Sequence, residues 1–267
     1  MENEKTVLIT GATSGIGKAL AHQFAANSYN LIIVGRHSDT LLKTKEELTS
    51  QYSIKIWNIE KDLAQDNAGQ ELYDEVKQSG HTVNVLVNDA GVGERGKFVD
   101  IPFTKYSEII HLNILSLTHL TSLFLNDMVN RNEGKILQLG SIAGFQPGPL
   151  LAVYHASKAY VVSLSEALAT ELNDMNSDVT VTCLCPGPTD TNFFSKANME
   201  NTRVVKQKDK LMKEPKEVAE GAYKALMDGE RLYIPGATNK IMTFIRRAIP
   251  KSMQANIQKQ FYEQVEE

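Results

Sequence analysis

The sequence predicts one doubly wound α/β domain, a single parallel β-sheet with helices on both faces, followed by a C-terminal helical extension. Three observations lead to this prediction. Short runs of Val, Ile and Leu alternate with longer segments that carry apolar residues at helical spacing. A glycine-rich turn follows the first of these runs. No linker and no internal repeat divides the 267 residues, which suit one large domain.

The predicted strands and helices alternate along the chain. Short buried runs predict the strands Thr6–Thr10, Leu31–Val34, Ile54–Asn58, Val83–Val87, Ile136–Leu139 and Val179–Leu184. Apolar residues at helical spacing predict the helices Ile16–Asn27, Ser38–Ser50, Gln65–Gln78, Thr104–Asn130 and Tyr154–Met175. This alternation is typical of a parallel sheet, because parallel strands need crossover connections that are usually helices.

The pattern loosens after Asp190. Residues 192–207 are polar with few apolar anchors, a helix is expected over Lys213–Asp228, and a last strand over Arg231–Ile234. We therefore interpret residues 1–237 as the main domain and residues 238–267 as an amphipathic helical tail. The tail carries apolar residues at helical spacing, interrupted by the cations Lys240, Arg246, Arg247 and Lys251. We expect it to pack on its own domain or on a sister subunit, and weak attachment to a membrane surface is the alternative.

Composition argues against several classes of protein. The chain is 42% hydrophobic and 22% charged, as soluble globular proteins are, and its net charge of −4 gives no general attraction to nucleic acid. Its polar start, Met1–Lys5, lacks the features of a signal peptide, and no apolar stretch approaches the roughly 18 residues of a membrane span. We expect a cytoplasmic protein in which Cys183 and Cys185 are buried free thiols, with no metal-ligand spacing nearby.

A glycine-rich turn, residues 10–17 (TGATSGIG), lies between the first strand and the first helix. Glycines there allow a tight turn and a close approach of the backbone, so that helix N–H groups can face a pyrophosphate. The spacing differs from G-x-G-x-x-G, since three residues separate the first two glycines. The position of the turn nevertheless predicts a dinucleotide site in a Rossmann-type sheet.

The residue after the second strand distinguishes between the two nicotinamide dinucleotides. Proteins that bind NAD place an acidic residue about 20 residues beyond the turn, where it binds the ribose 2′-OH. Here Gly35 and Arg36 occupy that place, so a guanidinium can pair with the 2′-phosphate of NADP(H). NADP(H) is the predicted cofactor; a solvated Arg36 and the nearby Asp39 keep NAD open as the alternative.

Tyr154 and Lys158 lie one helical turn apart and share a helix face. This spacing alone is weak evidence, because Tyr73 and Lys77 repeat it in a polar helix. Tyr154, however, begins a helix after the loop that follows Ser141, which itself ends a strand. Loops at the carboxyl ends of parallel strands are where open α/β sheets bind ligands.

With these motifs in register, residues 6–191 resemble the short-chain dehydrogenases/reductases. The family's T-G-x-x-x-G-x-G turn matches Thr10–Gly17, and its N-N-A-G motif matches residues 88–91 except for Asp89, which we expect to alter only a local backbone contact. The resemblance implies a catalytic tetrad of Asn113, Ser141, Tyr154 and Lys158. It also implies, together with the turn, these cofactor-binding residues: Gly11, Thr13, Ser14, Gly15, Ile16, Gly17, Arg36, Asp62, Leu63, Asn88, Ala90, Gly91, Tyr154, Lys158, Pro186, Gly187, Thr189 and Thr191.

The tetrad has a physical rationale. A free tyrosine has a pKa of about 10, too high for ready loss of the proton at neutral pH. We expect the Lys158 cation and the positive nicotinamide to lower it, so that Tyr154 exchanges a proton with a carbonyl oxygen as hydride moves to or from its carbon. Ser141 would hold the same oxygen. The resemblance implies that Lys158 binds the nicotinamide ribose and that Asn113 anchors a water that relays protons to Lys158.

The predicted function is NADP(H)-dependent interconversion of a carbonyl group and a secondary alcohol, with an apolar ketone, aldehyde or 3-oxoacyl compound as the small-molecule substrate. The alternative is a non-catalytic NADP(H) sensor or scaffold, against which the complete tetrad argues. The resemblance also implies a homodimer or homotetramer that pairs through the two longest helices. Apolar residues expected to form the substrate wall are Phe145, Pro147, Leu150, Leu151, Val153, Phe193 and Phe194.

Overall fold

The computed structural model describes residues 5–246 and 248–264; the remaining residues of the predicted domain and tail, 1–4, Arg247 and 265–267, lie outside the described part. A parallel sheet with the strand order β3-β2-β1-β4-β5-β6-β7 forms the centre of the fold. The chain order reverses between β1 and β4, which opens a crevice at the carboxyl ends of these strands. The strands are β1 (Thr6–Thr10), β2 (Asn30–Gly35), β3 (Ile56–Glu60), β4 (Val85–Asn88), β5 (Lys135–Leu139), β6 (Thr180–Leu184) and β7 (Leu232–Tyr233).

Helices cover both faces of this sheet, as predicted. Alternate strand residues point to opposite faces, so Val7 and Ile9 pack with α1, α2 and α10, whereas Leu8 packs with α3, α5 and α6. The helices are α1 (Gly15–Ala26), α2 (Ser38–Gln51), α3 (Ala68–Gln78), α4 (Phe103–Ile110), α5 (Leu117–Asn130), α6 (Ala152–Asp174), α7 (Phe193–Lys196), α8 (Arg203–Lys206), α9 (Lys208–Leu211), α10 (Pro215–Met227), α11 (Ala237–Arg246) and α12 (Lys251–Tyr262).

The predicted helix Thr104–Asn130 is observed as α4 and α5 joined by a π-helical turn, His111–Ser116. Its length and composition would allow it to cross a membrane, contrary to the expectation that no apolar stretch is long enough. In the fold it lies against the sheet, because Leu120, Phe124 and Met128 are buried in the core cluster on that face. It is therefore placed as a core helix.

The segment that connects β6 to α10 is more ordered than its polar sequence indicates. Residues 192–207, expected to have few anchors, contain the short helices α7 and α8. Ala197 and Met199 are buried and pack against Leu151 and Tyr262. Few apolar residues at irregular spacing hold this segment, which is why helical periodicity does not reveal it.

The tail forms two helices, α11 and α12, where the sequence pattern indicates continuous helical spacing. Pro250 precedes α12, and proline both disfavours helical geometry in the residue before it and lacks a backbone N–H. The second helix contacts the preceding domain: Arg95 Nε donates to the Tyr262 carbonyl oxygen at 2.6 Å, and Gln146 Nε2 donates to Gln258 Oε1 at 2.7 Å. The described part of the tail thus packs on its own chain.

Candidate active site

The glycine-rich turn joins β1 to α1 at the carboxyl edge of the sheet. Gly11 and Gly15 have φ angles of +72° and +57°, and a Cβ on Gly17 would lie 2.5 Å from the Gly11 carbonyl oxygen. Side chains at these positions would strain the turn or collide with its neighbours, so glycine allows the turn to close tightly. The cavity described below reaches Ser14, Gly15 and Ile16 at the start of α1, where the first N–H groups of a helix suit a dinucleotide pyrophosphate. Thr13 lies beside the turn, within van der Waals reach of the Cβ position of Gly35.

Asp89 lies beneath this turn. Its Oδ2 faces Gly17, whose N–H donates to the carboxyl group, while its Oδ1 is buried without a hydrogen-bond partner among the described residues. Burial raises the pKa of Asp89 to about 7, although the Lys158 charge and the Gly17 hydrogen bond oppose the rise. The expectation that Asp89 alters only a local backbone contact is therefore wrong, because an ionisable group now lies under the turn.

Some residues around Asp89 support the ends of the strands, and others line the cavity. Thr10 Oγ1 accepts hydrogen bonds from the backbone N–H groups of Asp89 and Ala90, each at 3.1 Å, which fixes the loop after β4 to β1. The Asn88 side chain donates to Thr121 Oγ1 and Gln138 Oε1, each at 3.1 Å, and so supports the strand ends. Gly91, by contrast, lines the cavity described below.

Ser141, Tyr154 and Lys158 converge at the end of β5 and the start of α6. The side chains of Ser141 and Tyr154 line the same cavity, close enough for Ser141 to lower the pKa of Tyr154. Lys158 Nζ lies 5.8 Å from the centre of the Tyr154 ring and donates to the Leu139 carbonyl oxygen at 2.7 Å. These three side chains have the arrangement that proton exchange with a bound oxygen requires.

Asn113 joins the same group from the π-helical turn. Its Oδ1 accepts from the Val92 N–H at 3.0 Å, and its Nδ2 donates to Ser157 Oγ at 3.0 Å. Asn113 Oδ1 and Lys158 Nζ lie 3.2 and 3.6 Å from the position of a Cβ on Gly91. All four predicted tetrad residues therefore meet at one place, and the π turn, a feature often found at functional sites, positions the fourth.

The pKa of Tyr154 moves in the direction opposite to the one expected. Burial raises it to about 12, and the neighbouring Ser141 hydroxyl group only partly offsets this. Burial also lowers the pKa of Lys158, against the attraction of Asp89. The expectation that Lys158 lowers the pKa of Tyr154 is wrong for the chain by itself, because the ammonium group hydrogen-bonds Leu139 and burial dominates. Tyr154 therefore holds its proton at neutral pH.

Arg36, Asp62 and Leu63 follow β2 and β3, at the side of the crevice expected for the adenosine. Arg36 is exposed, and its Nη1 lies 3.3 Å from Glu108 Oε1 on α4. Burial opposes ionisation of Asp62, yet hydrogen bonds from Gln65 and the Ala64 N–H, with the Arg36 charge, leave its pKa lowered. Arg36 and Asp62 form a polar rim at the ends of adjacent strands, whereas Leu63 is buried in the hydrophobic core.

The loop after β6 closes the other side of the crevice. The Pro186 carbonyl oxygen accepts from the Ile142 N–H at 3.0 Å, and Thr189 Oγ1 donates to the Gly187 carbonyl oxygen at 3.0 Å. Thr191 reaches the glycine-rich turn, with its Cγ2 3.1 Å from the Cβ position of Gly15. The predicted nicotinamide-side loop is thus brought against the predicted phosphate turn.

A cavity of about 440 Å³ connects these parts, with Tyr154 and Ser141 among its lining residues. Of the predicted apolar wall, Leu151, Phe193 and Phe194 line it, and the Phe193 ring centre lies 5.0 Å from that of Tyr154. Phe145, Pro147, Leu150 and Val153 do not; Phe145, for example, packs with the cluster around Cys183. Sequence reasoning missed several other lining residues. Three of them lie in the tail, which carries none of the family motifs. The missed residues are Ile142, Met199, Val204, Met242, Phe261 and Tyr262.

The second Tyr-x-x-x-Lys pair has a structural role. Tyr73 Oη and Lys77 Nζ both donate to Asp127 Oδ2, at 3.1 and 3.0 Å, which ties α3 to α5. Cys183 and Cys185 are buried free thiols, as predicted, with their Sγ atoms 3.6 Å apart.

Comparison with known proteins assigns the family. A family model for short chain dehydrogenases matches residues 5–202. The chain belongs to this family. Among curated short-chain dehydrogenase relatives, the uncharacterized oxidoreductase YvaG of Bacillus subtilis is 33% identical over 216 residues, which cover 79% of this chain and 80% of the relative.

Two further relatives bear on the chemistry of this short-chain dehydrogenase. A very-long-chain 3-oxoacyl-CoA reductase of Pyrenophora tritici-repentis is 38% identical over 174 residues, 62% of this chain and 50% of that protein. A short-chain dehydrogenase of Sphingobium yanoikuyae, solved in complex with NADPH, is 26% identical, with a TM-score of 0.80 and coverage of 92% of this chain and 94% of the other. The chain is thus an oxidoreductase of a family whose members bind NAD(P)(H).

Proposed function

We propose that this oxidoreductase uses NADP(H) to interconvert a carbonyl group and a secondary alcohol on a substrate with an apolar body. The meeting of Ser141, Tyr154 and Lys158 beside a largely apolar cavity that also reaches the glycine-rich turn is the observation that carries the proposal. It unites a proton donor, an oxygen-holding hydroxyl group and a dinucleotide cradle at one edge of the sheet.

Arg36 supports NADP(H) over NAD. No acidic residue ends β2, and the guanidinium stands where a 2′-phosphate is expected. Its present partner, Glu108, is a surface carboxylate, and such ion pairs are weak enough to be exchanged for a phosphate. The NADPH bound to the Sphingobium relative points the same way.

The tetrad residues would divide the work. When bound, the nicotinamide supplies the hydride for reduction or accepts it in oxidation. Tyr154, with its raised pKa, donates its proton to the carbonyl oxygen, so that C=O becomes CH–OH with one hydride on carbon and one proton on oxygen. Ser141 holds that oxygen and stabilises its developing negative charge. Lys158 lies behind Tyr154, where its ammonium group can return the proton that Tyr154 has lost, and Asn113 would anchor a water that resupplies Lys158.

An apolar ketone, aldehyde or 3-oxoacyl compound is the proposed substrate class. Phe193, Phe194, Met199 and Phe261 supply apolar surface around Tyr154. The 3-oxoacyl-CoA reductase relative acts on a carbonyl carried by a long apolar chain, which suits such a wall.

We also propose a cytoplasmic homodimer or homotetramer. The free thiols of Cys183 and Cys185 suit a reducing compartment. Ile110, Leu115 and Tyr160, on the helix pair predicted for subunit pairing, leave apolar surface exposed.

Reduction of a panel of carbonyl compounds tests this function. NADPH consumption, followed by the ultraviolet absorbance of the reduced nicotinamide, should occur with apolar ketones, aldehydes or 3-oxoacyl thioesters and should be slower with NADH. Tight NADPH binding without turnover of any compound would instead favour the alternative, a non-catalytic NADP(H) sensor.

A further inference from the structure

The two tail helices have an inverted distribution of polar and apolar side chains. Helix α12 buries the polar residues Gln254 and Gln258, whereas Met253 is 55% exposed. Helix α11 buries Thr243, whereas Ile241 and Ile245 are 57% and 52% exposed. Helices on the surface of a globular protein normally show the opposite pattern, with the apolar face inward. The outward apolar face therefore indicates a partner that covers it.

The charges of the tail indicate what that partner is. Residues 237–262 contain five cationic residues and no aspartate or glutamate, in a chain whose net charge is −4. Lys240, in the first turn of α11, and Lys251, at the start of α12, are both exposed. Apolar side chains surrounded by cations alone are the composition of helices that lie in the interface of an anionic lipid bilayer.

A second copy of this chain fits the same surface poorly. A symmetric dimer brings each surface patch against its own copy. Two pairs of tail helices would then oppose cation to cation, because residues 237–262 carry no acidic residue and Glu263, which follows them, already pairs with Lys259.

We infer that the outer face of α11 and α12, formed by Ile241, Phe244, Ile245, Met253 and Ile257, docks the protein on an anionic membrane surface. The inner side of the same helices lines the cavity with Met242, Phe261 and Tyr262, so the docked face and the substrate side are distinct. Ile241 and Ile245 do not line the cavity. They can therefore be changed without touching the proposed chemistry.

Co-sedimentation of the full chain with vesicles tests the inference. The protein should sediment with vesicles of equal parts phosphatidylglycerol and phosphatidylcholine, much less with phosphatidylcholine alone, and less as salt is added. The double variant Ile241→Asp/Ile245→Asp should bind the anionic vesicles about tenfold more weakly or worse, because two apolar side chains no longer enter the interface. Its circular dichroism should match that of the wild type.

A matched control separates this face from exposed apolar residues in general. Val99→Asp/Phe103→Asp makes the same charge change at exposed apolar residues outside the tail and the cavity, and should bind vesicles as the wild type does. Failure of the wild type to sediment with anionic vesicles would overturn the inference, as would equal losses in the two variants. A smaller oligomer in the tail variant, together with no vesicle binding by the wild type, would show that a second copy covers the face instead.

Discussion

Asp89 puts an ionisable carboxyl group under the glycine-rich turn, where the family motif has an amide. Its ordinary pKa of 3.8 rises to about 7 in the folded chain, chiefly because the group is buried. The folded protein therefore binds more protons than the unfolded chain between these two values. Stability contributed by this residue falls as the pH rises from 3.8 to about 7 and then stays constant.

Asp89→Asn should consequently stabilise the protein in a pH-dependent way. The asparagine amide can still accept a hydrogen bond from the Gly17 N–H but cannot ionise. Above about pH 7 the free energy of unfolding of the variant should therefore be a few kcal/mol higher than that of the wild type. The difference should vanish as the pH approaches 3.8. Urea unfolding of both proteins at each pH measures it, and equal unfolding free energies above pH 7 would show that Asp89 is not held in a costly environment.

The side chain of Arg36 should distinguish NADPH from NADH. Arg36→Ala should weaken NADPH binding by about tenfold to a hundredfold, the value of one lost charge-assisted contact, and leave NADH binding nearly unchanged. Fluorescence titration with each dinucleotide provides the comparison. Glu108→Gln is the matched control on the partner of Arg36 and should strengthen NADPH binding slightly. Equal losses for both dinucleotides in Arg36→Ala would refute its role at the 2′-phosphate.

Individual site residues could be predicted from sequence where chemistry depends on local spacing. The turn glycines, Ser141, Tyr154 and Lys158 are such residues, because their geometry follows from one turn or one helix face. Asp89 differs, since its pKa depends on burial between β4, α1 and α6, which no local pattern records. The same holds for Phe193, which meets Tyr154 only through tertiary packing.

At the scale of elements, α12 is attached through a buried polar network. His155 Nδ1 lies 2.8 Å from the Gln146 carbonyl oxygen and therefore carries the proton, which leaves Nε2 to accept from Tyr262 Oη at 3.0 Å. His155 immediately follows Tyr154 on α6. The tail is thus bonded to the first turn of the helix that carries the proposed acid.

Tyr262→Phe should therefore lower the free energy of unfolding by about 1–3 kcal/mol, because the buried His155 nitrogen loses this hydrogen bond. Thermal and urea unfolding measure the effect. Tyr160→Phe removes a comparable hydroxyl group that hydrogen-bonds Thr118 at an exposed site, and should change stability little. Similar values for the two variants would mean that the His155 contact does not hold the tail.

Helices and strands could be predicted where the hydrophobic periodicity is strong, and less well where tertiary contacts determine their bounds and orientation. Six strands and the long helices follow from buried runs and helical spacing. The π-helical turn in the long helix does not, because the positions of Asn113 and its neighbours keep ordinary helical periodicity in sequence. The break between α11 and α12, at Pro250, was not predicted, because the apolar residues keep helical spacing across it. Which side of each helix faces inward was not predictable either, since their polar residues are buried.

At the scale of the whole molecule, the sheet order explains why distant motifs meet. Because β1 and β4 are neighbours and β5 and β6 follow, the turn after β1, the loop after β4, Ser141 after β5 and the loop after β6 all open at one edge. The motifs span residues 10–191, and the parallel sheet alone suffices to predict their convergence. The tail lies beyond those motifs, and its place on the cavity required the structure.

Turnover of the variants Tyr154→Phe and Tyr73→Phe tests the central claim most directly, because both tyrosines stand four residues before a lysine and only Tyr154 lies at the sheet's carboxyl edge. With any carbonyl compound that the wild type reduces, Tyr154→Phe should lower kcat/KM by about 10²–10⁴-fold, the usual contribution of a general acid, with NADPH binding largely retained. Tyr73→Phe should leave kcat/KM unchanged, since Tyr73 bonds Asp127 away from the cavity. Undiminished turnover in Tyr154→Phe, or equal losses in the two variants, would contradict the assignment of Tyr154 as the acid.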